Sequence, residues 1–271
     1  MNLRACALDA LILTDPAEKC AAVAALQAQV LTYTNPEAVP WCPAWVGTPT
    51  QAIPGRPAVP QLVPPRDVPR RRLDSSAGQA ALLHALTHIE FNAINLALDA
   101  VWRFPNLPPA YYADWLRVAA EEAVHFQLLN QHLAAVYQSS YGAFTAHDSL
   151  WEMTAKTQAD PLARMALVPR TLEARGLDAT PALREKLFHA GDKPGAAILE
   201  IILRDEIGHV AVGNRWYYFL CEQQGREPMQ TFRDLQKTYA APALRPPFNV
   251  AARLAAGFTE AEIQSFYLPA E

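Results

Sequence analysis

The chain of 271 residues carries a formal net charge of −4, and 51% of it is apolar. That places it among folded globular proteins with enough chain for one large core or two small ones, and it excludes fibrous, disordered and coiled-coil classes. No run of eighteen apolar residues and no apolar stretch with a small-residue cleavage site occurs, so neither a membrane span nor a secretory signal is expected. Cys6, Cys20, Cys42 and Cys221 form no Cys-x-x-Cys pair and no dense framework. A thiolate zinc site and disulfide stapling are therefore not indicated, and a cytoplasmic location is expected. The slight acidic balance gives no overall attraction to nucleic acid; Arg66 with Arg70-Arg71-Arg72 reads as a solvated arginine linker, with a local basic patch as the alternative.

In chain order, Asp15-Pro16-Ala17-Glu18 offers an N-cap, a proline at the first helical position and a capping-box glutamate, opening a short helix to about Gln29. Ten of the 23 prolines then lie between Pro36 and Pro69, interleaved with Trp41, Trp45, Ile53, Val59, Leu62 and Val63. Such a segment is neither helix nor central strand, and its apolar residues suit an extended strap over a folded body. A long helix follows from Ser75 or Ser76 to about Arg103, and a second from about Ala110 to Gln138, ended by Ser139-Ser140-Tyr141-Gly142. After an irregular connection with at most one short helix, Asp160-Pro161 opens a third, predicted to bend at Pro169 and stop at Gly176. A small helical piece spans about Pro181 to His189. Lys193-Pro194-Gly195 opens a fourth long helix to about Gln224, and short helices fall near 228–239, 250–256 and 259–266. No strand is predicted. Four long helices with a long crossover between the second and third make an all-α, ferritin-like four-helix bundle at 75–225. An N-terminal helix and strap (1–74) pack on it, and short C-terminal helices (226–271) complete the chain.

The chemistry sits on these helices. Glu90 falls within the apolar stripe of Leu82, Leu83, Leu86, Ala93, Ile94 and Ala97, where a carboxylate needs a partner. Glu122-Ala123-Val124-His125 sets two side chains about 4.5 Å apart along one helix face. Glu206-Ile207-Gly208-His209 repeats the device in a segment apolar on nearly all sides, and the third helix supplies Glu173. Chance gives about 0.4 occurrences of Glu-x-x-His in this composition. Glu90 precedes Glu122 by 32 residues and Glu173 precedes Glu206 by 33, so each half offers a lone glutamate followed by a Glu-x-x-His pair. Four carboxylates and two imidazoles carry a formal charge of −4, which two divalent ions neutralise, and mixed oxygen and nitrogen donors suit iron or manganese. The expected cofactor is two iron ions, with manganese or mixed manganese and iron as the alternatives. Glu122 and Glu206 bridge as the catalytic pair, Glu90 and His125 bind one ion, and Glu173 and His209 bind the other.

With these motifs the chain resembles uncharacterised ferritin-like proteins grouped as a domain of unknown function, distantly similar to tRNA-hydroxylating di-iron monooxygenases. The resemblance covers most of the chain. It rests on Ile53-Pro54-Gly55-Arg56-Pro57 and the strap after it, His88-Ile89-Glu90, Glu122-Ala123-Val124-His125, the stretch from Val168-Pro169-Arg170 to Asp178, and Asp205-Glu206-Ile207-Gly208-His209. It implies the fold and the metal site, and supplies no substrate.

Other readings stand beside these. His84, His88, His132, His147 and His189 read as surface or satisfied core histidines. Glu121 alternates with Glu122 as a ligand, but Arg117 one turn away suits it to an ion pair. Asp205 either pairs with Arg204 or accepts a hydrogen bond from a histidine ligand. The leading function is a di-iron oxidoreductase that activates dioxygen to oxidise or hydroxylate an unidentified substrate, with an unidentified electron donor, in a monomer or small homo-oligomer. A tRNA substrate stays open. The alternatives are a ferroxidase or peroxide-scavenging iron-handling protein and a metal-stabilised interaction module.

Overall fold

Capping chemistry decides where the helices begin. In the computed structural model, which describes residues 2–35, 38–42, 44, 46–69 and 71–267, the side chain of Asn2 accepts the amides of Arg4 and Ala5 and opens α1 (Leu3–Ile12), an element that the sequence reading missed. Asp15 caps α2 (Pro16–Val30) and Ser75 caps α3 (Ser76–Arg103), while α4 (Pro109–Tyr137) starts on a proline pair with no side-chain cap. Pro36, Trp45 and Arg70, named above, lie outside the described residues. The chain divides into two compact units, Met1–Ser149 and Leu150–Glu271. Among the described residues no β-strand forms, and no helix is long and apolar enough to cross a membrane. The four cysteines are not disulfide-bonded.

In the first unit α3 and α4 pack along their length, α1 lies against α3, and α2 lies against α4. Arg4, fully buried, donates to the carbonyls of Val101 (3.2 Å) and Trp102 (2.6 Å), two of the acceptors that the end of α3 leaves open, and to those of Cys42 and Ala44. Lys19, equally buried, donates to the carbonyls of Leu11 (3.1 Å) and Gly55 (2.8 Å) and to Asn95 Oδ1, joining α1, α2, the strap and α3. The strap runs against the loop after α4. Val63 N–H donates to Ala146 O at 2.8 Å, Ala146 N–H to Gln61 O at 3.1 Å, and Arg56 grips Asp148 with both terminal nitrogens (2.7 and 2.5 Å). Gly55 fits because a Cβ there would lie 2.1 Å from Ile12 O. Arg66 and Arg72 pair with Asp67 and Asp74 at the surface, in keeping with a solvated segment.

His84 closes the same loop from beneath. The Gly142 amide donates to His84 Nε2 at 2.9 Å, so the neutral ring carries its proton on Nδ1; the ring stacks on Tyr141 and meets Phe144 edge to face. Burial, aided by His88, pushes the His84 pKa down to about 4. The unfolded chain therefore takes up a proton near pH 6.5 that the folded chain refuses until about 4. The stability from a neutral His84 is complete above pH 6.5 and is lost as pH falls through that window, by up to about 3 kcal/mol. Urea unfolding at pH 7, 5.5 and 4.5 is expected to show this acid limb, flattened in His84→Gln. An identical limb in the variant would refute the assignment.

The second unit departs from expectation in its third helix. Asp160 caps α6 (Pro161–Leu167), but the bend at Pro169 is a π-helical segment over Val168–Glu173. Pro169 has no N–H to donate, and Thr171 Oγ1 donates to Ala166 O at 2.8 Å. Gly176 does not stop the helix: α7 (Ala174–His189) runs through Gly176 and Pro181 and ends before Gly191, whose φ is +93°. Pro181 removes the donor that Leu177 O would use, and Asn249 Nδ2 supplies one at 3.2 Å. The rest of the unit comprises α5 (Ser149–Lys156), whose first residue is the last of the first unit, α8 (Lys193–Gln223), α9 (Pro228–Thr238), α10 (Val250–Ala255) and α11 (Glu260–Ser265). α8 packs on α6, the π segment and α7. A Cβ on Gly213 of α8 would meet Pro169 Cβ at 2.5 Å, so glycine there lets the π segment approach.

Candidate metal centre

In the first unit, α3 and α4 bring together Glu90, Glu122 and His125, 3%, 0% and 1% exposed. Glu90 lies on the face of α3 turned to α4, and the three-residue spacing of Glu122 and His125 places both on the facing side of α4. His125 Nδ1 lies 3.3 Å from Glu90 Oε2 and 3.4 Å from Glu122 Oε2, and one ligand atom of each residue lies within 4.8 Å of the others. Burial and the nearby Glu122 charge push the Glu90 pKa up to about 8. For His125 burial favours the neutral ring, but hydrogen bonds and charge from Glu122 and Glu90 outweigh it and push the pKa up to about 12. Without metal the trio favours one proton on His125 and one on Glu90; two carboxylates and an imidazole at this separation are also a donor set that fits a divalent ion.

In the second unit, α8 carries Glu206 and His209, 7% and 0% exposed, with His209 Nδ1 3.9 Å from Glu206 Oε2. Glu173 is the last residue of the π segment and is half-buried. π segments recur at functional sites because they rotate side chains out of helical register.

Glu121 makes the ion pair with Arg117 (3.2 Å) and Asp205 the one with Arg204 (2.8 Å). His88 is buried in hydrogen bonds to Tyr141 OH (2.9 Å) and His147 O (3.1 Å), His132 packs edge-on to Tyr137, and His189 is exposed. Sequence reasoning missed two buried arginine sites in the second unit. Arg170 meets Asn214, Tyr218 and Glu262, and Arg253 meets Asp178. Arg170 and Asp178 fall in the stretch quoted above, but their partners lie in short helices that carry no motif.

A family model described as "Protein of unknown function (DUF455)" matches residues 12–264. An "Uncharacterized protein" of Haemophilus influenzae is 46% identical over 266 residues, covering 95% of this chain and 91% of that protein. No solved structure matches the chain.

Proposed function

The chain belongs to the DUF455 family, and we propose that it is a di-iron carboxylate oxidoreductase that activates dioxygen to oxidise or hydroxylate an organic substrate. The observation that carries this reading is the buried Glu90, Glu122 and His125 trio, three donors on two packed helices. The second half comes from the repeated spacing: Glu173 corresponds to Glu90, and Glu206 and His209 to Glu122 and His125. In this reading α3, α4, the helix interrupted at Val168–Glu173, and α8 form a ferritin-like four-helix bundle with one dinuclear site. Two iron ions, or manganese in their place, would supply the redox chemistry. Glu122 and Glu206 would bridge the ions, while Glu90 with His125 and Glu173 with His209 would fix one ion each. The low exposure of the first trio keeps water from these donors and strengthens their hold on charge. His125 must give up its proton to bind. A separate reductant, a cytoplasmic location, and a monomer or small oligomer complete the proposal.

Aerobic loading with ferrous iron separates an oxygenase from an iron store. Uptake is expected to stop at about two irons per chain, the number that six ligands hold, with a coupled di-iron signal by Mössbauer spectroscopy. Tens of irons per chain in a closed shell would overturn the oxygenase in favour of storage. A reduced centre left unoxidised by oxygen would instead favour the interaction module.

A further inference from the structure

Arg170 sits three residues before Glu173, inside the π segment and fully buried. Its guanidinium lies between the rings of Tyr217, Tyr218, Phe232 and Phe258, at 4.7, 5.3, 5.0 and 4.6 Å. Nη1 donates to Asn214 Oδ1 on α8 at 2.6 Å, and Nη2 donates to Glu262 Oε1 on α11. Glu262 is held in turn: Tyr218 OH donates to its Oε2 at 2.6 Å, and Thr259 donates from its amide at 2.8 Å in the capping box of α11. Five residues beyond Glu173, Asp178 receives a two-pronged bond from Arg253 of α10 (3.0 and 2.6 Å). The segment that carries Glu173 is thus clamped on both sides by the C-terminal helices, although a π turn around a proline has poor hydrogen bonding of its own.

The geometry points to Arg170 and Glu262 as positioning residues for Glu173: the ion pair fixes the rotation of the π segment, so α11 sets how firmly the Glu173 half of the centre holds its ion. This rests on the reading of Glu173 as a ligand. It also gives a function to Arg170, which touches no proposed ligand, and to α11, which lies 89 residues beyond Glu173 at Glu262. The buried pair favours one arrangement of a segment that could otherwise relax toward regular helix.

Cobalt(II) titration of the full chain, followed by absorption spectroscopy and cobalt analysis, tests this together with hydrogen exchange of residues 168–173. Wild-type protein is expected to bind two cobalt ions per chain. Glu262→Gln is expected to keep one with its spectrum unchanged, bind the other at least tenfold more weakly, and exchange faster across 168–173 alone. Tyr218→Phe, which removes the hydroxyl's bond to Glu262 and its longer one from Arg170 Nη1 (3.3 Å) but leaves the ion pair and the ring over Arg170, should shift the same quantities less. Two ions bound at wild-type affinity in Glu262→Gln would overturn the positioning role and leave the metal reading intact. Equal weakening of both ions would show general destabilisation and overturn it as well. If wild-type protein bound no cobalt, the metal reading would fail. Exchange would then decide the clamp: faster at 168–173 in Glu262→Gln supports it, unchanged refutes it.

Discussion

Asp178→Ala is expected to cost about 3–5 kcal/mol of stability, because it leaves the Arg253 guanidinium buried without its counter-charge. Arg253 is fully buried, with the rings of Phe248, Phe258 and Phe266 around its charge at 4.8, 5.1 and 5.6 Å. Asp178 Oδ1 also accepts the Asn249 amide at 2.9 Å, so the substitution releases the start of α10 as well. The melting temperature should fall by roughly 10 °C in a chain of this size. The double variant Asp178→Leu with Arg253→Met should recover most of that, since an apolar pair of similar volume removes the desolvated charges together. A single variant within about 1 kcal/mol of wild type would show that water reaches Arg253.

On the proposed dinuclear reading, His125→Ala is expected to remove at least one of two metal ions per chain, measured by mass spectrometry of the purified protein; full retention of both would refute the ligand assignment. Proton release gives a second reading of the same site. At pH 7 the metal-free trio holds protons on His125, whose pKa is pushed up to about 12, and on Glu90, pushed up to about 8. A divalent ion entering there must displace them, so an unbuffered titration should release about two protons per ion bound at this half, and fewer in His125→Ala. If metal binds the folded chain as proposed, chelation should also lower the unfolding midpoint.

The long helices were legible because their signals are local. Ser75 caps α3 and Gln138 ends α4 with φ +50°, and the Lys193-Pro194-Gly195 start of α8 is written within one turn of sequence. Glu90, Glu122 and His125 were legible because helical periodicity alone puts them on buried faces. The third helix misled because its signals are not local. Gly176 carries no left-handed backbone and meets nothing within 4 Å of a notional Cβ, so it neither caps nor clashes. Pro181 strands the Leu177 carbonyl, and the donor that satisfies it comes from Asn249, far along the chain. The arginine clamp was hidden for the same reason, since no spacing rule links Arg170 to Glu262 or Asp178 to Arg253. The start of α1 was readable in principle, since Asn2 is an ordinary N-cap before an apolar run.

The donor that Asn249 lends to Leu177 O has a consequence for the order in which the chain acquires its structure. The two residues are 72 apart in sequence, so during synthesis the turn around Pro181 emerges well before the group that completes it. Until Asn249 docks, that turn has an open carbonyl, and closing a loop of this length must come first. The helix through Pro181 is therefore finished by tertiary contact rather than by its own nucleation, late and together with α10, while α8 can already form from its own cap.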